Sequence, residues 1–167
     1  MRTSVVMGLY MINMETLFEF FVRTMFKGAL DHSKYSIDEY SKKWFLSRGV
    51  TSMDETEKGI HMMPYCIPDI VLREKISNDV LSVIDAKYKA HDRTVRTDSL
   101  QLLSYVLITG ANRCGFVFPG EETQIKHIKT GGTEYLPLQT TLMSDLKYYE
   151  LILGDNLNEA VLDHLLL

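Results

Sequence analysis

The order of elements legible in these 167 residues predicts an α/β fold, a mixed central β-sheet flanked by helices. Three observations carry that expectation. Two β-branched, apolar segments, Ile70-Val71-Leu72 and Val80-Leu81-Ser82-Val83-Ile84, bracket the turn formers Ser77, Asn78 and Asp79 and read as a hairpin. Helical periodicity marks 14–27 before the hairpin and 98–109 after it. A further apolar strand at 113–118 follows the second helix.

In chain order, the first helix is set by Asn13 as N-cap and Gly28 as C-terminal stop, with Leu17, Phe18, Phe21, Val22 and Met25 as its apolar face. Glu19 lies close to that face. It can project toward the hairpin as a third carboxylate or pair with Arg23 one turn later, and periodicity favours the ion pair. Residues 37–47, with Tyr40, Trp44 and Phe45, suit a short helix, and 49–59 reads as a polar loop. A strand at 61–67 would feed Pro68-Asp69, with His61 a core or surface residue rather than a ligand. In the second helix Asp98 is the expected N-cap, Gln101 its capping-box partner and Gly110 the stop. Leu102, Leu103, Val106 and Leu107 would face the core, while Gln101 and Tyr105 stack at i and i+4. Beyond the 113–118 strand, another strand is expected at 134–142 and helical pieces at 144–153 and 157–167, separated by Gly154.

A chain of this length fits one domain, 1–167, able to bury close to ~70% of its unfolded surface. The 46% hydrophobic and 24% charged composition is that of a soluble globular protein, with disorder expected only in the first few residues and around 51–59. Cys66 and Cys114 are too few for a disulfide framework, a zinc knuckle or an iron-sulfur cluster, and imply a reducing compartment, hence the cytoplasm. The apolar run at 5–12 is short for a signal peptide, and no stretch approaches the roughly 18 apolar residues of a membrane span. A net charge of −4 argues against a general nucleic-acid coat protein but not against a nuclease, whose carboxylates add to the negative total.

The chemistry sits at one end of the hairpin. Side chains alternate along a strand, so Asp85 and Lys87 share one face while Ile84, Ala86 and Tyr88 take the other. Pairing around Ser77-Asn78 would bring Asp69 to the same end as Asp85. Two carboxylates at that distance repel unless a divalent cation such as Mg²⁺ lies between them, and Lys87 could then orient an attacking water or stabilise charge on phosphorus. The bland account is an Asp-x-Lys surface ion pair arising by chance. Lys87, Lys89, His91, Arg93 and Arg96 follow within ten residues, opposed only by Asp92; they make either a phosphate-binding field or a solvated loop.

Taken together, Leu17-Phe18-Glu19, Pro68-Asp69-Ile70, Asp85-Ala86-Lys87-Tyr88-Lys89 and Gln101-Leu102-Leu103-Ser104-Tyr105 resemble the motif string of PD-(D/E)xK nucleases of the RecB-like kind. More narrowly, Met14-x-x-Leu17-Phe18-Glu19-x-Phe21-Val22, Pro68-Asp69-Ile70-Val71-Leu72 and the Asp85 strand resemble the nuclease domain of the McrC family, from the McrBC 5-methylcytosine restriction system, over about residues 11–120. The resemblance implies a restriction-endonuclease-like fold and a Mg²⁺-dependent DNA endonuclease, with Mn²⁺ able to substitute. It implies Glu19, Asp69 and Asp85 as metal ligands, Lys87 as the catalytic lysine, and Gln101 and Tyr105 as supports that contact the DNA backbone, while from the basic run itself Lys89, Arg93 and Arg96 are expected to contact phosphates. It also implies a GTP-driven AAA+ ring as partner, although the N-terminal region that docks on such a ring is expected to be missing from a sequence that begins almost at the nuclease motifs. Cutting both strands takes two active centres, which a homodimer or paired recruitment would supply. From another class, a catalytically silent nuclease-fold module that binds DNA or assembles a complex is the alternative. The presence of every expected catalytic side chain favours the enzyme.

Overall fold

Largely apolar runs at 70–74, 80–86 and 113–119, buried on both faces, build the centre of a mixed six-stranded sheet. The computed structural model describes residues 13–40, 42–45, 65–90, 96–128 and 146–166. In chain order these form α1 (Met14–Ala29), β1 (Tyr35–Ile37), β2 (Trp44–Phe45), β3 (Tyr65–Cys66), β4 (Ile70–Glu74), β5 (Val80–Ala86), α2 (Arg96–Thr109), β6 (Arg113–Pro119), β7 (Gln124–Ile128), β8 (Lys147–Leu153) and α3 (Glu159–Leu166). The large sheet runs β1-β4-β5-β6-β8-β7, with β5-β6 and β6-β8 parallel and the other pairs antiparallel; β2 and β3 form a separate ribbon.

The hairpin forms as its sequence predicts. Ile70 pairs with Ile84 and Val71 with Val83, a bulge falls between Leu72 and Arg73, and Asn78 takes φ 62° in the turn, a conformation that Asn tolerates well. Ile70, Leu72, Ile84 and Ala86 face a core shared with Phe18, Val22 and Phe26 of α1 and Val161, Leu162 and Leu165 of α3. The other face puts Val71, Val83, Phe116 and Phe118 against Leu102, Tyr105 and Val106 of α2. Helices thus cover both faces of a mixed sheet. Gly115 in β6 is required by close approach, because a Cβ there would meet the Tyr149 carbonyl oxygen of β8 at 2.5 Å.

Several expectations are corrected. Helix α1 runs through Gly28 to Ala29, and its buried stripe is Phe18, Val22 and Phe26, while Leu17 and Phe21 are exposed. The expected helix at 37–47 is absent among the described residues. Tyr35–Ile37 pairs with β4 and Trp44–Phe45 with β3, so the four-residue spacing of Tyr40 and Trp44 imitates a helix that tertiary pairing overrides. Residues 147–153 form a strand rather than a helix. Tyr149, Leu151 and Leu153 point into the core between partly exposed Tyr148, Glu150 and Ile152, which is a period of two. Strand β7 was not foreseen; its polar edge sequence carries little pattern. Leu107 is exposed, and Tyr105 takes the core position instead. The 5–12 run, the 49–59 loop, His61 and the 134–142 strand lie outside the described residues.

Candidate functional site

One residue before β4, Pro68-Asp69 carries the chain to the end of the hairpin where β5 finishes at Asp85-Ala86. The odd-numbered side chains there face α2, so Asp69 and Asp85 fall on the same side of the sheet, as Val71 and Val83 do. Asp69 Oδ2 accepts a hydrogen bond from the Ala86 amide at 2.7 Å, which fixes the first acid to the backbone beside the second. Asp85 is 1% exposed, and its Oδ2 lies 2.6 Å from Lys87 Nζ in an ion pair but makes no hydrogen bond of good geometry. Lys87 Nζ also donates to Gln101 Oε1 at 3.3 Å and lies 3.9 Å from Asp98 Oδ1. Gln101 Nε2 in turn donates to the Tyr105 hydroxyl.

These groups line a cleft of about 290 Å³, and Glu19 of α1 is also part of its lining. A larger hollow of about 1060 Å³ lies at the other end of the hairpin, beside the 75–79 turn and the end of α2. Its cation Arg73 is already committed to Asp38 and to the Asn78 carbonyl, so the chemistry points to the smaller cleft.

Electrostatics sets the cleft apart. Burial, then the neighbouring Asp85 and Glu19, push the Asp69 carboxyl up to about 7, against the opposing pull of the Ala86 amide and Lys87. Burial also raises Asp85, outweighing the Lys87 ammonium beside it. Burial alone would lower the Lys87 pKa, but the carboxylates of Asp85, Asp69 and Asp98 more than reverse this, and the side chain stays a cation. Burial raises the Tyr105 hydroxyl, which therefore stays neutral as a hydrogen-bonding group. The site is a partly buried set of acids with the Lys87 ammonium against Asp85 and that of Lys89 against Asp98.

Of the residues singled out in the sequence, Glu19, Asp69, Asp85, Lys87, Lys89, Gln101 and Tyr105 all line this cleft. The Glu19–Arg23 ion pair does not form. Arg23 is buried and gives its guanidinium to the backbone carbonyls of Asp69, at 2.9 Å, and of Asp38. Glu19 instead sits 3.5 Å from the Tyr40 hydroxyl. Lys89 is engaged by the Asp98 carboxylate, Arg96 is exposed at the start of α2, and Arg93 lies outside the described residues. Asp98 is not the N-cap: α2 begins at Arg96 and carries Asp98 in its first turn, facing both lysines. The capping-box spacing to Gln101 concealed this role, and Arg23 was concealed by its position one turn after Glu19.

Among the described residues no three His, Cys, Asp or Glu side chains are grouped closely enough to hold a metal ion by themselves. Two carboxylates match the oxygen donors that a hard cation takes: Asp85 keeps Oδ2 buried against the Lys87 ammonium, and Asp69 lies on the same side with its charge disfavoured by burial and by Asp85. No helix among the described residues is long and apolar enough to cross a membrane.

A family model described as "McrBC 5-methylcytosine restriction system component" matches residues 5–119. Comparison with curated proteins gives no match. Among solved structures, the fold is similar to a chain of the Thermococcus gammatolerans assembly of McrB AAA+ hexamers with bound McrC, at 17% identity and a TM-score of 0.49, over 87% of this chain and 29% of that one. The sequence thus spans less than a third of the length of that chain.

Proposed function

The chain belongs to the family of McrBC 5-methylcytosine restriction system components, and from that premise we propose that residues 1–167 form one PD-(D/E)xK nuclease domain that hydrolyses DNA phosphodiester bonds with a divalent cation. One observation carries the reading: Asp69 and Asp85 share one side of a hairpin end with a lysine in contact, and their charge is disfavoured as they stand.

Asp69 and Asp85 are the residues that would hold the cation, Mg²⁺ or in its place Mn²⁺, with Glu19 in the lining of the same cleft. When bound, the cation would supply a water of lowered pKa and neutralise charge on the phosphate. The remaining work falls to the chain's own groups. Lys87 directs its ammonium at the phosphate oxygens or the attacking water, where it stabilises charge that grows in the transition state. Gln101 holds Lys87 through its amide oxygen and is itself held by Tyr105, so the lysine is preorganised by α2. Arg96, and Arg93 beside it in sequence, supply positive charge for the DNA backbone. Family membership also supports an McrB-like, GTP-dependent AAA+ ring as the partner that delivers modified DNA.

The test is cleavage of supercoiled plasmid, methylated and unmethylated, with Mg²⁺ or Mn²⁺ against EDTA, alone and with an McrB-like ring. Cation-dependent nicking or linearisation is expected, and Asp85→Asn abolishes it. DNA binding without cleavage under every condition would make the silent binding module the correct reading.

A further inference from the structure

Among the described residues the Lys87 ammonium pairs with carboxylates on two different elements. Asp85 Oδ2 of β5 holds it at 2.6 Å, and Asp98 Oδ1 of α2 stands 3.9 Å away, with Gln101 Oε1 between them in distance at 3.3 Å. The nearer contact occupies the very carboxylate that metal binding needs. An ammonium and a divalent cation on one oxygen repel each other strongly at such separations in a partly buried cleft. When Asp85 serves a cation, Lys87 is driven off it, and since Asp69 and Glu19 are themselves the other proposed ligands, the carboxylate left for the ammonium among the described residues is that of Asp98.

Asp98 is built to receive it. It lies in the first turn of α2, where the helix N-terminus stabilises an anion. Its side chain is only 13% exposed, so its charge is little screened. Its second oxygen, Oδ2, is held by Lys89, while Oδ1 stands 3.9 Å from the Lys87 ammonium. Lys89 thus acts within the site rather than as a free phosphate contact.

We propose that Asp98 is a positioning residue, the second seat of the Lys87 ammonium, which takes the lysine from Asp85 when a divalent cation binds and holds it in the cleft beside the scissile phosphate. The inference rests on the cation-dependent reading above. It assigns to Asp98 and Lys89 a role in exchanging one cation for another on Asp85.

The experiment is a double-mutant cycle on Mn²⁺ affinity, read by electron paramagnetic resonance with no DNA present. Asp98→Asn should weaken Mn²⁺ binding about 5- to 10-fold where Lys87 is present and less than about 2-fold in a Lys87→Met background, because the seat matters only while there is an ammonium to displace. Asp98→Glu, which keeps the charge, should restore most of the affinity. An equal loss in both backgrounds would mean that Asp98 acts only through its long-range charge, and would overturn the proposal. A wild-type measurement guards against variants that fail to fold: the Lys87 ¹⁵Nζ resonance should move on saturation with Mg²⁺, and a resonance left unmoved overturns the exchange. A wild-type protein that binds no Mn²⁺ would refute the cation-dependent reading itself and this inference with it, a result distinct from equal losses.

Discussion

Asp69 is tied to Ala86, its carboxylate accepting the Ala86 amide at 2.7 Å, so the acid that precedes β4 is registered against the residue between Asp85 and Lys87. Two segments sixteen residues apart are thereby locked into one site by a single hydrogen bond at the end of the hairpin. Arg23 reinforces the lock from α1 by donating to the Asp69 carbonyl.

The metal-free protein should lose stability as pH rises. The Asp69 carboxyl, pushed up to about 7 by burial and by Asp85, retains a proton in the folded state that the unfolded chain releases near ~3.9. Between those values the folded state binds more protons than the unfolded, so stability falls with increasing pH and levels off once pH exceeds about 7. Asp85, raised in the same direction, adds to the slope. Melting temperature followed from pH 4.5 to 8 in EDTA should show the decline, and Asp69→Asn should flatten it.

Lys87 and Arg96 should separate chemistry from binding. Lys87→Ala is expected to slow cleavage by roughly 10²-fold or more with little change in DNA affinity, the scale of removing one preorganised electrostatic group. Arg96→Ala should weaken binding to all sequences and lower the salt slope by about one phosphate contact. Single-turnover rates and salt-dependent binding isotherms measure the two effects.

Arg23 should be sensitive to shortening. It is buried, and its guanidinium joins α1 to the carbonyls of Asp69 and Asp38. Arg23→Ala leaves both carbonyls without that donor and should destabilise the fold by about 2 to 4 kcal/mol in urea unfolding.

The buried stripe of α1 can be tested residue by residue. Phe26 is fully buried between the sheet and α3, so Phe26→Ala should cost about 3 to 5 kcal/mol. Leu17 is 49% exposed, and Leu17→Ala should stay within about 0.5 kcal/mol. Equal effects in chemical denaturation would count against this orientation of the helix.

The hairpin, both long helices and the β6 strand were legible because β-branched runs, turn formers, the Asn13 cap and the Gly110 stop agree there with the tertiary structure, whereas Gly28 and Asp98 misplaced the other two helix ends. The grouping of Asp69, Asp85 and Lys87 followed from strand alternation together with hairpin pairing around Ser77-Asn78. What the sequence concealed depends on contacts between distant segments. Tyr35–Ile37 becomes a strand by pairing with β4, and Lys147–Leu153 by lying parallel to β6, while leucine and tyrosine are compatible with either period. Arg23 and Asp98 were hidden for a related reason: each sits at a spacing that local helix chemistry explains, and their partners Asp69, Asp38, Lys87 and Lys89 lie on other segments.

Anomalous diffraction from crystals grown with Mn²⁺ tests the shared metal site most directly. The expected result is one peak between the Asp69 and Asp85 carboxylates, with oxygens of both at roughly 2.0–2.6 Å, that disappears in Asp85→Asn crystals. A peak that involves neither carboxylate, or no peak at saturating Mn²⁺, would contradict the proposal that this pair of acids holds the cation for DNA cleavage.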